Sequence, residues 1–135
     1  MLALPSVKFK DGETAKEFDS IESTLRMILN DMARYCSLSG YDFIITDLLS
    51  SVFDDARLRR VSTTHQDGRA ADVSVRGWPE GFVNKFISNF DYTHGHFGAI
   101  SKKDGQQRLI VRHNVKRPDG SMGGDHLHVQ IRRMI

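Results

Sequence analysis

Two short segments carry most of the side chains that can do chemistry. His65 and Asp72 stand seven positions apart in "TTHQDGRAADV", where a strand-like run begins. In "GGDHLHVQI", alternation with a period of two sends His126 and His128 to one face of a strand and apolar residues to the other. Two imidazoles and a carboxylate with one open position form the ligand set of a catalytic zinc site. The chain has one cysteine, so an open nitrogen and oxygen site is the natural form here.

The histidines also have a simpler interpretation. An isolated His-x-His pair is more often a pair of exposed histidines on an outer strand. Imidazole contributes little to such a face that Thr or Val would not, and His65 with Asp72 would complete a ligand set, which favours the metal site. This site requires the strand that contains His128 to pair with the strand that begins near Asp72.

A small mixed fold has to position these residues. The 135 residues, 39% of them hydrophobic, are enough for a single domain over 1–135 with one core. Apolar residues at three- and four-residue steps predict a helix over 21–35 with Asp19 as its cap, and phenylalanines four apart after Pro79 predict a second helix. About four short strands are predicted at "YDFIITDLL", "DVSVRGW", "RLIVRHNV" and "HLHVQIRR", the last two as a hairpin with a long loop. We therefore predict an α+β domain with a small, mostly antiparallel sheet.

Charge and hydropathy limit the partners. The net charge is +2, and the basic residues are scattered without aromatic interleaving, so nucleic-acid binding is not expected. No stretch approaches the roughly 18 apolar residues of a membrane span, and the first residues lack the pattern of a signal peptide. The single cysteine, Cys36, lies at a helical spacing that favours packing over a reactive thiol. We expect a monomer with no membrane span.

Residues 63–72 read Thr-x-His-x-x-Gly-x-Ala-x-Asp. This pattern resembles the Ser-x-His-x-x-Gly-x-Ala-x-Asp signature of zinc D,D-carboxypeptidases and L-alanyl-D-glutamate endopeptidases, a peptidase family that shares its fold with hedgehog signalling domains. The segment "DHLHV", at 125–129, is similar to the second motif of that family. The resemblance implies a hedgehog-like peptidase fold and a zinc-dependent peptidase acting on bacterial peptidoglycan peptides.

Carried over by position, the resemblance makes His65, Asp72 and His128 the ligands of Zn²⁺. It makes Asp125 the acidic catalytic residue, which takes the proton of the zinc-activated water and returns it to the leaving amine. His126 matches a second histidine of the penicillin-insensitive murein endopeptidase branch. In this chain three roles stay open for it: it orients a bound peptide, it stabilises the oxyanion, or it is simply exposed. Geometry alone does not choose between the two histidines as ligand; the family pattern favours His128, which leaves His126 as a catalytic candidate beside the substrate.

Three departures from the family pattern concern the residues around the metal. Thr63 replaces the usual serine and keeps its hydroxyl, and Asp125 is one methylene shorter than the glutamate that many members carry. The arginine that stabilises the oxyanion in many members has no clear equivalent, and Arg69 is a candidate together with arginines 59 and 60. His113, which ends "RLIVRH", is a candidate beside the site. We take Thr63, Arg69 and His113 as the substrate-binding set.

The resemblance implies a cell-wall lytic endopeptidase or a D,D-carboxypeptidase, and a single domain of this kind is compatible with a bacteriophage endolysin. We then expect the protein in the host cytoplasm before its release to the cell wall, or in the virion. The alternative is a non-catalytic zinc-binding or interaction domain of the same fold, such as a phage virion structural module. Asp125 discriminates, because a domain without catalysis has no physical reason to keep an acid there.

Overall fold

The computed structural model describes residues 2–49, 64–101, 104–113 and 124–133, and these form a mixed α+β fold, as predicted. The helices are α1 (Gly12–Glu17), α2 (Ser23–Ser39) and α3 (Glu80–His94), with short 3-10 turns at Phe18–Ser20 and Gly95–Phe97. The strands are β1 (Val7–Phe9), β2 (Phe43–Asp47), β3 (Ala70–Ser74), β4 (Ala99–Ile100), β5 (Gln107–Arg108), β6 (Ile110–His113) and β7 (His126–Gln130).

Five of these strands form one sheet in the order β1-β2-β3-β7-β6. β1 pairs with β2 in parallel, and the other neighbours are antiparallel. The pairing of β6 with β7 confirms the predicted hairpin, although its loop at 114–123 lies outside the described residues. The separate β4–β5 ladder and β1 have no counterpart in the sequence-based prediction, because strands of two or three residues are too short to show a period.

The two long helices pack against one face of this sheet. Phe86 of α3 lies 6.5 Å from Phe43 of β2 between ring centroids, and Tyr35 of α2 stacks on Phe82 of α3 at 5.9 Å. Cys36 is buried within α2, as the packing interpretation predicts. The same face takes the apolar side chains that alternate with the histidines of β7, namely Leu127 and Val129, which are fully buried. The histidine side chains of β7 are therefore directed to the opposite face.

The start of α2 differs from the prediction that Asp19 caps this helix, and it is hydrogen-bonded to the segment between His65 and Asp72. Asp19 does not cap α2: it lies in the preceding 3-10 turn, and its Oδ1 accepts a hydrogen bond from the backbone N–H of Leu2. The helix begins at Ser23, with Glu22 at the N-cap position. The N–H of Glu22 donates to the carbonyl of Gly68 at 2.9 Å, so a tertiary hydrogen bond occupies this donor instead of a local cap.

None of the helices in the described residues combines the length and the apolar composition needed to cross a bilayer.

Candidate metal centre

Asp72 and His128 meet because β3 and β7 are paired in one particular register. Asp72 lies directly opposite His128 in the antiparallel ladder, so both side chains project from the same face of the sheet. The Nδ1 atom of His128 is 3.0 Å from Oδ1 of Asp72. Two residues that are 56 positions apart in the chain are thus brought into direct contact.

His65 reaches the same place from a tight turn that leads into β3. The N–H of Arg69 donates to the carbonyl of Thr64 at 2.8 Å, and the N–H of Gly68 donates to the carbonyl of His65 at 3.2 Å. Gly68 has a φ of +68°, a left-handed conformation that favours glycine, and a Cβ there would lie 3.3 Å from the Cα of Ile21. The turn conformation therefore gives a physical reason for the glycine between the two predicted ligands.

The three side chains converge on one point. His65, Asp72 and His128 each offer one ligand atom, and these atoms lie within 4.8 Å of one another. His65 is 2% exposed and Asp72 is 8% exposed, and the rings of His65 and His128 have centroids 5.1 Å apart. The predicted ligand set is thus assembled in a largely buried position.

Each candidate histidine ligand has a hydrogen-bond acceptor on the side away from the other two ligands. The Nδ1 atom of His65 lies 2.6 Å from the carbonyl oxygen of Leu48, and since a carbonyl only accepts, the ring donates from Nδ1. The Nε2 atom of His128 lies 3.1 Å from Oε1 of Gln130. That amide is oriented by its own Nε2, which donates to the carbonyl of Arg108 at 3.3 Å. With a cation bound, the outer acceptors would take the protons on Nδ1 of His65 and Nε2 of His128, which leaves lone pairs on Nε2 of His65 and Nδ1 of His128; without a cation, Nδ1 of His128 donates to Asp72.

The resulting donor set fits a cation. Nε2 of His65 is buried and makes no hydrogen bond with any described residue, and it lies 3.4 Å from Oδ1 of Asp72. With the outer protons in place, this nitrogen, Nδ1 of His128 and the Asp72 carboxylate direct lone pairs toward each other. Such an arrangement is unfavourable unless a positive species lies between the three atoms. A metal ion with nitrogen and oxygen ligands satisfies all of them at once.

The pKa shifts of these residues indicate that Asp72 is ionised and that its charge favours a positive group beside it. Burial alone would raise the pKa of Asp72, but contacts with His128 and His65 outweigh burial and hold that pKa well below its usual range. Burial alone would lower the pKa of His65, but the adjacent Asp72 carboxylate outweighs it and raises the pKa. The site attracts positive charge, either as a proton or as a bound cation.

Two further histidines lie in a row beside the triad. His113 on β6 is directly opposite His126 on β7, and their ring centroids are 5.3 Å apart. The ring of His113 is 5.8 Å from that of His128. Nδ1 of His126 is 3.0 Å from the carbonyl oxygen of Gly124, to which it donates. The structure therefore brings the predicted catalytic histidine and one predicted substrate-binding residue next to the candidate ligands.

Asp125, the predicted proton acceptor, is held in an ion pair. Its two carboxylate oxygens accept from Nε of Arg112 at 3.0 Å and from Nη2 at 2.6 Å. Its carboxylate is not one of the three groups whose ligand atoms converge in the described part of the chain. Its role in proton transfer stays a prediction.

The other predicted substrate-binding residues have different surroundings. The guanidinium of Arg69 donates from Nη1 to the carbonyl of Ile131 and from Nη2 to Asp67, both at 2.9 Å. These contacts tie the turn before β3 to the end of β7, so Arg69 has a structural role whether or not it also binds substrate. Thr63 lies outside the described residues.

Sequence reasoning did not find the residues that orient the ligands. Gln130 follows His128 on the same strand face, and a third polar residue at the alternating position was a signal for it. The carbonyl of Leu48 and the side chain of Arg112 left no such signal, because their contacts span 17 and 13 residues and depend on the tertiary fold.

The fold and the site define a small α+β protein with a candidate His-Asp-His metal centre on the face of its sheet opposite the helices. No protein-family model matches the chain. Comparison with curated proteins finds no significant match, and neither does comparison with solved structures.

Proposed function

We propose that this protein is a zinc-dependent peptidase that hydrolyses peptide bonds of bacterial peptidoglycan, as a cell-wall endopeptidase or a D,D-carboxypeptidase. The observation that carries the proposal is the convergence of two imidazole nitrogens and one carboxylate oxygen within 4.8 Å. Three such ligands leave a fourth position for water or substrate, as in catalytic zinc sites. The substrate class comes from the resemblance of residues 63–72 and 125–129 to zinc peptidases of the cell wall.

Each step expected of a zinc peptidase can be assigned to residues of this chain. His65, Asp72 and His128 would hold the ion, with Leu48 and Gln130 fixing the two rings. A bound zinc would lower the pKa of a water molecule toward neutrality and polarise the scissile carbonyl. In this proposal Asp125 accepts the proton of the attacking water and returns it to the leaving amine.

In this proposal His113 and His126 contact the substrate. His113 and His126 are adjacent on the face that carries the triad, and a protonated imidazole at this position would donate a hydrogen bond to a peptide carbonyl or to a developing oxyanion. This position supports an orienting role for both residues, with Thr63 and Arg69 retained as further candidates from the sequence.

A second candidate function is favoured by one specific observation. Both oxygens of Asp125 are engaged by Arg112, and a carboxylate fixed in this way acts as a structural ion pair in many proteins. A non-catalytic metal-binding or interaction domain of the same fold would explain that contact without any proton transfer.

Metal analysis and peptidoglycan digestion together test the proposal. We expect one zinc per chain after purification, and release of peptide fragments from peptidoglycan, identified by mass spectrometry. The mass of each fragment would identify the bond that is cut. Zinc without any hydrolysis would favour the non-catalytic domain. A protein that binds no divalent metal would contradict the peptidase and leave only an interaction domain without metal.

A substitution at position 125 separates catalysis from metal binding. Asp125→Ala should keep its zinc and its fold while turnover falls by about 10²-fold or more, the usual scale for the loss of a general base. Asp104→Ala removes another aspartate that pairs with an arginine, 2.8 Å from Arg108, and serves as the matched control. Equal turnover in the two variants would remove Asp125 from the mechanism.

A further inference from the structure

His113 and His126 form a cross-strand pair beside the candidate metal centre. The two residues lie directly opposite each other in the β6–β7 ladder, and their side chains project from the sheet face that carries Asp72 and His128. The centroids of the two rings are 5.3 Å apart, and the rings are tilted by 31°. The register of the two strands thus places both imidazoles side by side on the face opposite the helices.

The spacing of the two rings is close to the spacing that a shared metal ion requires. With Zn–N distances of about 2.0–2.1 Å and tetrahedral geometry, two imidazoles bound to one zinc have their centroids about 5.2 Å apart. The rings of His65 and His128, two of the candidate ligands, are 5.1 Å apart. The spacing of 5.3 Å between His113 and His126 agrees with both values.

The hydrogen bond of His126 leaves a suitable nitrogen for a metal. Its Nδ1 lies 3.0 Å from the carbonyl oxygen of Gly124 and donates to it, because a carbonyl can only accept. The lone pair of the neutral ring is then on Nε2. Histidines that bind metals commonly have this arrangement, in which one ring nitrogen donates to a backbone carbonyl and the other binds the ion.

The donor set of this pair differs from that of the triad. The row of side chains across the sheet at this level consists of Ser74, His126 and His113, and none of the three is a carboxylate. Both oxygens of Asp125, which precedes His126, are engaged by Arg112. Two imidazoles without a carboxylate suit Zn²⁺, Ni²⁺ or Cu²⁺ and do not suit Mg²⁺ or Ca²⁺.

We propose that His113 and His126 form a second binding site for a divalent transition-metal ion, weaker than the His65–Asp72–His128 site and filled only when metal is in excess. The affinity is lower because the site has two protein ligands instead of three and lacks a negative charge. An ion in the first site would also repel a second ion, since the ring of His113 is only 5.8 Å from that of His128.

Occupation of the second site would inhibit hydrolysis. This consequence rests on the proposed function, in which the same two rings contact the peptide. A metal ion bound to both rings occupies the nitrogens that would otherwise donate to a substrate carbonyl or to the oxyanion. Zinc in the first site is then required for activity, whereas zinc in excess lowers it.

Calorimetric titration of zinc into the zinc-loaded protein measures the second site directly. We expect one further ion per chain in the wild type. In His113→Gln and in His126→Gln its affinity should fall by about tenfold or more, at least the cost of losing an outer partner of a ligand. Titration with Mg²⁺ should give no second binding event.

Two further variants identify where each ion binds. His96→Gln is the matched control, because it removes an exposed histidine outside this row, whose ring lies 4.0 Å from that of Phe97. It should bind the second ion as the wild type does. His65→Ala should lose the first ion and keep the second, since His113 and His126 remain.

Activity at one equivalent of zinc and in excess zinc tests the inhibition. Each variant is compared with its own rate at one equivalent, so that a loss of activity caused by the substitution itself does not affect the comparison. At ten times the dissociation constant of the second site, the rates of the wild type and of His96→Gln should fall by about tenfold. The rates of His113→Gln and His126→Gln should stay nearly constant.

Several outcomes overturn the inference. Absence of a second binding event in the wild type would reject the site, and so would a second ion that both His113→Gln and His126→Gln retain or that His96→Gln loses. A second ion that leaves the rate unchanged would reject the inhibition while supporting the site. A wild type that hydrolyses no peptidoglycan at any zinc concentration contradicts the proposed function, whereas the calorimetric result still decides whether the second site exists.

Discussion

At the scale of single residues, the site depends on which ring nitrogen is free. His65 and His128 each use one nitrogen on an outer acceptor, Leu48 or Gln130, and direct the other toward Asp72. His126 donates from Nδ1 to the carbonyl of Gly124, and its ring stacks beside His113 instead of the triad. Two histidines that look equivalent in the sequence therefore have different surroundings.

This difference predicts different effects on metal content. His128→Ala should abolish zinc binding, because it removes one of the three proposed ligands. His126→Ala should retain about one zinc per chain and lose activity only in part. Metal analysis of both purified variants checks this, and the reverse pattern would mean that the two histidines have exchanged roles.

The outer partner of His128 gives a second prediction at this scale. Gln130→Leu removes the acceptor for Nε2 while all three ligands remain, so zinc affinity should fall by about 10- to 100-fold, the usual cost of losing such a partner. Competition with a chelator of known affinity measures the change. Gln106→Leu alters an exposed glutamine whose side chain contacts Arg108, and this variant should bind zinc as the wild type does.

At the scale of elements, close approaches between backbone segments determine how the second small ladder joins the main sheet. Gly98 bridges to Ile131, just after β7, and packs against the chain between β5 and β6. A Cβ atom at Gly98 would lie 2.5 Å from the carbonyl carbon of Arg108 and from the nitrogen of Leu109. These neighbours are backbone atoms, which cannot shift without moving their strands. A φ of −62° suits any residue, so Gly98 is required because there is no room for a side chain and not because of its backbone conformation.

Gly98→Ala should therefore lower the free energy of unfolding by about 1–3 kcal/mol or more, the cost of overpacking a tight contact. Gly81→Ala is the matched control, because a Cβ at this exposed position in α3 meets nothing within 4 Å. That control should stabilise the protein by up to about 1 kcal/mol through helix propensity. Denaturant unfolding of the two variants measures both changes, and equal stabilities would contradict the packing at Gly98.

At the scale of the whole molecule, the sheet separates the core from the metal centre. Its helix-side face carries Leu127, Val129 and the aromatic core, whereas Asp72 and His128 project from the other face. The candidate ligands are not part of the hydrophobic cluster that closes the core, so we expect the domain to fold without a metal, unlike a zinc finger. A bound ion would then contribute to function and only modestly to stability.

Zinc should accordingly raise the melting temperature without creating the fold. At 100 times its dissociation constant, a ligand that binds only the folded state adds about 2.7 kcal/mol, which corresponds to a shift of several degrees. We expect the far-UV circular dichroism spectrum to stay nearly the same after EDTA treatment, and the shift to disappear in His65→Ala. A chelated protein that unfolds at room temperature would contradict the separation of core and site.

The local sequence determined those features that depend on neighbours in the chain. The apolar spacing of α2 and α3 predicted two helices. The alternation in "HLHVQI" predicted that Leu127 and Val129 of β7 are buried. The positions of His65 and Asp72 predicted two candidate ligands where a loop passes into a strand. In each case a period or a turn conformation is set within a few residues. The α+β class followed from the same local signals.

Only the tertiary structure decided what lies beside the site. The register that places Asp72 opposite His128 joins strands 56 residues apart, and a shift of one position would have directed the histidine into the core. The same holds for the pairing of Arg112 with Asp125 and Glu80, which requires β6, the start of β7 and the start of α3 to meet. Side chains at these distances along the chain become neighbours through strand pairing and helix packing, and no local pattern records which partner each of them meets.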